Sequence, residues 1–79
     1  MNKQEILDVM SESEGCNVEI TDVNGKEIVG YVDLYESRFD NSDDDVNAGE
    51  ASICVDTADD NSYMLYESDI KRIKIIKHL

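Results

Sequence analysis

A chain of 79 residues can form one domain with a small core, but not two domains. It holds 19 acidic and 7 basic residues, a formal net charge of −12, so nucleic acid and anionic membranes are poor direct partners. It has no apolar run near the roughly 18 to 20 residues of a membrane span and no secretion-signal pattern, so we expect a cytoplasmic protein.

The first segment, about residues 2–14, is predicted to form a short helix. Asn2 can cap it, and Glu5, three residues later, completes a capping-box pattern. Gly15 is a typical residue just beyond a helix end. The apolar stripe that would pack on a sheet consists of Ile6, Leu7, Val9 and Met10.

From Cys16 onward apolar and polar residues alternate, as they do in a β-strand, and Asn24-Gly25 indicates a β-hairpin. A two-residue loop would place Asp22 opposite Glu27, a like-charge pair that costs stability. A three-residue loop, with Gly25 in a left-handed conformation, pairs Asp22 with Lys26 instead. We therefore predict the three-residue loop.

This register divides the hairpin side chains between two faces. The positions predicted to face the core are Val18, Ile20, Ile28, Gly30, Val32 and Leu34. Tyr31 and Tyr35 fall on the opposite face, where tyrosines among carboxylates would suit protein binding. Gly30 in mid-strand indicates a sharp bend or a close backbone approach.

Three more short strands follow, in residues 51–57, 62–67 and 69–76, with a tight helical turn at "ESD". Their apolar alternation rests on Ile53, Val55, Tyr63, Leu65, Ile73 and Ile75. One helix and five strands, one of them bent, are typical of a small closed barrel. We predict a mainly β, single-domain chain, with a short N-terminal α-helix, a strongly bent five-stranded antiparallel sheet over about residues 16–77, and an acidic loop over about 36–50.

Known kinds of catalytic and metal sites find little support in the sequence. Cys16 and Cys54 belong to no Cys/His cluster, so we expect two small buried thiols, with a disulfide possible if they face each other. Asp43, Asp45 and Asn47 alternate like Ca²⁺ ligands, but the glycine and glutamate of an EF-hand loop are missing. The only histidine is penultimate, and no nucleophile has a marked base. We expect no enzyme activity, cofactor or metal.

With these elements the sequence resembles the Sm and Sm-like family, whose members combine a helix with a strongly bent five-stranded sheet in an SH3-like barrel. The segment "NGKEIVGYVDLYE" is similar to the first Sm motif, and "LYESDIKRI" to the second. The retained features are those that shape the barrel, namely Gly25, Gly30, Tyr35, Asp69 and Ile70. The resemblance implies the fold and, as one option, assembly into a ring.

The family's RNA contacts are mostly absent from the matching positions. Glu36 and Asp40 stand where the family has an aspartate and an asparagine, and Tyr66-Glu67 replaces its arginine and glycine. The resemblance therefore implies that Glu67 makes an Sm-type RNA site repulsive to phosphate. We expect no direct RNA binding.

The acidic residues lead to the functional hypothesis. We predict a non-catalytic module that presents an acidic face to a basic protein, in a sharper form as a nucleic-acid mimic that inhibits a nuclease or another nucleic-acid-binding protein. The predicted contact residues are Tyr35, Glu36, Asp40, Asp43, Asp44, Asp45, Glu50, Asp59 and Asp60. The alternative is an Sm-like ring subunit in which the fourth strand pairs with a neighbour's basic fifth strand.

Overall fold

A computed structural model describes residues 1–42 and 49–78 of the chain. One helix precedes five strands: α1 Lys3–Glu12, β1 Cys16–Asp22, β2 Glu27–Glu36, β3 Ser52–Thr57, β4 Ser62–Tyr66 and β5 Ile70–His78, with a 3-10 turn at Glu67–Asp69. The predicted mainly β fold with an N-terminal helix is confirmed.

Helix α1 begins with the predicted capping box. Asn2 Oδ1 accepts a hydrogen bond from the Glu5 backbone N–H at 2.8 Å, and the Glu5 carboxylate accepts one from the Asn2 N–H at 2.9 Å. The helix ends at Glu12, earlier than predicted, because both the backbone N–H and the hydroxyl of Ser13 donate to the Met10 carbonyl. The capped helix then buries Ile6 and Met10.

The β1–β2 hairpin has the predicted three-residue loop. The Asp22 N–H donates to the Lys26 carbonyl at 2.9 Å, and the Gly25 N–H donates to the Asp22 carbonyl at 3.0 Å. Gly25 has a φ of +86°, which residues other than glycine and asparagine rarely adopt. Ile20 consequently stands opposite Ile28.

The five strands form one antiparallel sheet in the order β4-β3-β2-β1-β5. Within the described residues, β4 pairs only with β3, and β5 pairs only with β1. The prediction of a closed barrel is therefore wrong. The 3-10 turn Glu67–Asp69 leads the chain away from β4 to the far side of β1. A hairpin at this position would instead have placed β5 alongside β4.

The inner side of the sheet and helix α1 enclose one core. Its buried apolar residues are Ile6, Met10, Val18, Ile20, Ile28, Val32, Ala51, Ile53, Val55, Leu65, Ile70 and Ile73. Gly30 lets β2 and β3 approach closely, because a Cβ there would lie 2.9 Å from Val55 Cγ1 and closer still to the Asp56 carbonyl oxygen. The predicted role of Gly30 in a close backbone approach is confirmed.

A β-bulge in β2 changes which side chains face the core. Val32 pairs with Val55, but the next pairing is Leu34 with Cys54, so Asp33 is an extra residue on β2. The extra residue shifts the alternation by one position. Leu34 is therefore 45% exposed, and Tyr35 packs against the core. The predicted inward Leu34 and outward Tyr35 are both wrong.

Candidate functional site

The side of the sheet that faces away from the core is called the outer face here. Cross-strand pairing places its side chains in rows that run from β2 through β3 to β4. The three rows are Tyr31, Asp56 and Ser62, then Leu34, Cys54 and Met64, then Glu36, Ser52 and Tyr66.

The middle row is apolar, and we name it the apolar row: Leu34, Cys54 and Met64. Leu34 is 45% exposed, Met64 is 49% exposed, and Cys54 is partly buried between them. Neighbouring strands are about 4.8 Å apart, so the row spans about 10 Å. It forms a narrow apolar strip on the outer face, at the side of the sheet where β4 is the edge strand.

Carboxylates stand around the apolar row. Asp56 lies in the row on one side and Glu36 in the row on the other, and Asp33 is the bulge residue beside Leu34. The pKa of the Cys54 thiol is raised, first by burial and then by the negative charges of Asp56, Asp33 and Glu36. The three carboxylates around the apolar row are therefore close enough to Cys54, at its centre, to raise the pKa of the thiol.

The two cysteines are in separate environments and do not form a disulfide. Cys16 is buried on the core side of β1, as predicted for both thiols, whereas Cys54 belongs to the outer face. The raised pKa of Cys54 lowers its thiolate fraction, and the thiolate is the reactive form. Cys54 therefore contributes to this surface as a small apolar side chain.

Glu67, in the 3-10 turn, is only 2% exposed although it is charged. One carboxylate oxygen accepts bonds from Arg38 Nε at 2.9 Å and from the Ala51 backbone N–H at 2.8 Å. The other accepts from Arg38 Nη2 at 2.7 Å and lies 3.6 Å from Lys3 Nζ. This carboxylate thus joins α1, the β2–β3 connection and the β4–β5 turn.

The hydrogen bonds from Arg38 hold the pKa of Glu67 at about 2, against the opposing effect of burial. Glu67 in turn raises the pKa of Arg38. Glu67 is thus a buried carboxylate whose charge is paired within the chain, whereas the resemblance to the Sm family implied a charge that repels phosphate. A strand-and-turn pattern does not reveal that an arginine 29 positions earlier folds back to pair with it.

Three of the predicted contact residues, Glu36, Asp40 and Glu50, lie at the β2–β3 connection. Asp40 accepts a hydrogen bond from the Ser37 N–H at 3.1 Å, and Glu50 accepts one from the Ser68 N–H at 2.9 Å. These two carboxylates therefore help fix the local backbone.

Asp59 and Asp60 lie at the other end of β3, in the β3–β4 turn. Hydrogen bonds from the Thr57 hydroxyl and from Asn61 lower the pKa of Asp59, and Asp60 has a left-handed φ of 65°. A strand as long as β3 separates its two ends by about 20 Å. Asp59 and Asp60 therefore lie at the opposite end of β3 from the β2–β3 connection, and their place in one contact surface stays a prediction.

Of the other predicted contact residues, Tyr35 packs against the core, and Asp43, Asp44 and Asp45 fall outside the described residues. The Ca²⁺-like pattern of Asp43, Asp45 and Asn47 falls outside them too. In residues 1–42 and 49–78, no group of histidine, cysteine, aspartate or glutamate side chains could hold a metal ion.

A shallow cleft of about 380 Å³ lies between the β1–β2 and β3–β4 turns. Lys26 Nζ is 3.2 Å from the Tyr63 hydroxyl and 4.5 Å above the centre of its ring. Glu27 and Asp59 also line the cleft, so its charges are mixed. Nothing in the sequence predicted this cleft, and its lining favours no single ligand class.

Sequence reasoning missed the apolar row, although part of the signal was present. With Ile53, Val55 and Leu65 facing inward, Cys54 and Met64 had to face outward; only Leu34 required knowledge of the bulge. No helix in the described part of the chain is long and apolar enough to cross a membrane. Comparisons with protein-family models, curated proteins and solved structures gave no match for this chain.

Proposed function

We propose that the chain is a non-catalytic interaction module that binds a basic protein surface through the outer face of β2, β3 and β4. The observation that carries this proposal is the apolar row with carboxylates around it. Protein interfaces have this composition, an apolar centre that excludes water and a polar rim that stays partly solvated.

The net charge gives the surface its preference for a basic partner. All 19 acidic residues lie in the first 70 positions, which contain three of the seven basic residues. All three of those basic residues are engaged internally, Arg38 and Lys3 by Glu67 and Lys26 by Tyr63. The resulting negative field speeds the approach of a basic protein, and added salt weakens this effect.

In a sharper form of the proposal, the partner's basic surface is a nucleic-acid site that the chain blocks. Alternate strand positions are about 6.7 Å apart, close to two steps of about 3.4 Å along one DNA strand. Asp33, Glu36 and Asp56 present three negative charges on one face in support of this form. Added DNA should then release the partner from the immobilised chain, whereas a purely protein-binding partner should stay bound.

The first prediction concerns these carboxylates. Replacing Asp33 and Asp56 with asparagine is expected to lower the recovery of a basic protein from host lysate about 3- to 10-fold, because rim charges govern capture. The measurement is quantified recovery on the immobilised chain at low and at high salt.

The matched control replaces Asp8 with asparagine and Glu12 with glutamine, two exposed carboxylates on α1. Both double variants change the net charge equally, but only the first alters the outer face. Equal losses from the two variants would contradict the location of the surface. Recovery by the wild-type chain that does not respond to salt would contradict the proposal itself.

A second candidate function is an Sm-like ring subunit, and the strand order favours it. Strands β4 and β5 are the two edges of the sheet, each with a single partner strand in the described residues. Edge strands with unpaired backbone groups are templates for pairing with another chain. Lys71, Arg72 and Lys74 make β5 basic, which suits an acidic neighbour.

The oligomeric state separates the two candidates. A ring subunit is expected to show a mass several times that of one chain by size-exclusion chromatography with light scattering, and this mass should fall in high salt as the basic strand loses its attraction. A single-chain mass at every concentration would exclude the ring and leave the interaction module.

A further inference from the structure

Phe39 is 85% exposed, more than any other large apolar side chain in the described residues. It lies in the turn of residues 37–42 that follows β2. A solitary exposed apolar residue is ordinary on a protein surface. Phe39 differs because the residues on both sides of it are anchored to buried groups.

On one side of Phe39, Arg38 is anchored by a two-point bond. Its Nε and Nη2 donate to the two oxygens of the buried Glu67 at 2.9 and 2.7 Å. A bidentate pair of this kind fixes the orientation of the guanidinium as well as its position. The backbone preceding Phe39 is therefore tied to the 3-10 turn.

On the other side, Asn41 is buried and donates three hydrogen bonds. Its side-chain amide donates to the Glu50 carbonyl at 2.8 Å and to Ser52 Oγ at 3.0 Å, and its backbone N–H donates to the Ser37 carbonyl at 3.1 Å. Ser52 belongs to the outer face, yet it is only 2% exposed. The turn is thus packed on the outer face, one row beyond the apolar row.

The turn also closes on itself. The Asp40 carboxylate accepts from the Ser37 N–H, and Ser37 Oγ accepts from the Asp40 N–H, both at 3.1 Å. The Ser42 N–H donates to the Phe39 carbonyl at 3.2 Å. A turn held at this many points loses little further conformational freedom on binding, so contacts made by Phe39 are offset less by ordering entropy.

We propose that Phe39 is the preorganised aromatic anchor of the interface, inserting its ring into an apolar pocket rimmed by Lys or Arg on the basic partner. This inference rests on the proposed function. A few residues near the centre of an interface carry most of its binding energy, and phenylalanine is among the aromatic residues enriched at interfaces. Asp40, Glu36 and Glu50 surround the start and end of the turn with carboxylates, which a basic rim would complement.

The test uses the basic protein that the wild-type chain recovers from lysate, purified and returned as the probe. Phe39→Ala is expected to weaken its binding about 10- to 100-fold while leaving the salt dependence unchanged, because the ring carries no charge. Val23→Ala, which shortens an exposed apolar side chain in the β1–β2 turn, is the control and should bind as the wild type does. Circular dichroism should show that both variants fold.

In a Phe39→Trp variant the fluorescence of the new ring reports whether it is in water or in an apolar pocket, because the chain contains no other tryptophan. Its emission is expected to shift to shorter wavelength when the purified partner binds, and to stay unchanged with a lysine-arginine peptide that lacks an apolar pocket. A shift that depends only on the chain's own concentration would make a second copy the occupant and overturn the inference.

The two proposals fail in different ways. If Phe39→Ala binds as tightly as the wild type while the Asp33 and Asp56 double variant loses binding, the anchor is overturned and the interaction surface stands. If the wild-type chain recovers no basic protein in a salt-sensitive manner, the proposed function is overturned, and the anchor with it.

Discussion

Replacing Glu67 with glutamine is expected to lower the free energy of unfolding at pH 7 by about 2 to 3 kcal/mol, because a buried, paired charge is removed and Arg38 loses its partner. Glutamine has nearly the same shape and can still accept from the Ala51 N–H. The loss therefore measures the ionic part of the contact. Urea denaturation followed by circular dichroism gives the value.

The effect should depend on pH in a defined direction. The pKa of Glu67 falls from an ordinary 4.5 to about 2 in the folded chain. A carboxylate with a lowered pKa stabilises the fold fully above about pH 4.5 and loses that contribution as the pH falls through 2. The difference in stability between the wild type and the variant should therefore shrink over this range.

Glu12→Gln is the matched control, since it makes the same chemical change at an exposed helix position. Its effect should stay within about 0.5 kcal/mol. A Glu67→Gln variant whose deficit is the same at pH 7 and at pH 2.5 would contradict the ionic origin of the stabilisation.

The second large effect is expected from Gly30→Ala, which should destabilise the fold by about 1 to 3 kcal/mol. The added Cβ would lie 2.9 Å from Val55 Cγ1 and would overlap the Asp56 carbonyl oxygen. The backbone of β3 cannot yield as the end of a flexible side chain would, so β2 and β3 must move apart. The shift of the urea midpoint, at an unchanged slope, measures the loss.

Gly25→Asn serves as the control for Gly30→Ala. Gly25 has open space around its Cβ position, and asparagine tolerates its positive φ. It should cost less than the alanine at Gly30. If Gly25→Asn lowers the stability more than Gly30→Ala does, the close approach of β2 and β3 is not the main requirement for glycine, and the backbone conformation of the turn is.

Features set by near neighbours in the chain could be predicted from the sequence. The capping box of Asn2 and Glu5 depends on residues three apart, and the hairpin loop follows from the conflict between Asp22 and Glu27. The inward positions of Ile53, Val55 and Leu65 follow from strict alternation. Local rules determine each of these features, so distant parts of the chain do not alter them.

The predictions that were wrong concern features that depend on contacts between residues far apart in the chain. The bulge at Asp33 exchanged the faces of Leu34 and Tyr35, and its position depends on how β2 fits against β3. The sheet stays open because, in the described residues, β5 pairs with β1 and does not also pair with β4. The buried Glu67 is paired with Arg38, which lies 29 positions earlier in the chain.

The candidate site shows the same division. The sequence predicted an acidic, non-catalytic surface from composition, and that remains a proposal. The predicted contact residues were chosen mainly where aspartates cluster in the sequence, whereas the outer face is arranged by pairing across three strands. Leu34, Cys54 and Met64 are separated by 20 and 10 positions in the chain and become neighbours only in the folded sheet.

The pairing of β1 with β5 has a consequence for how quickly the chain can fold. In the sequence, all of β2, β3 and β4 lies between these two strands. Pairing β1 with β5 therefore closes a large loop, and the chain loses conformational entropy before the contacts between the two strands can offset that loss. Proteins dominated by such nonlocal pairings fold slowly for their size. The capping box and the hairpin turn, which are the easiest features to recognise, can form early without setting the rate.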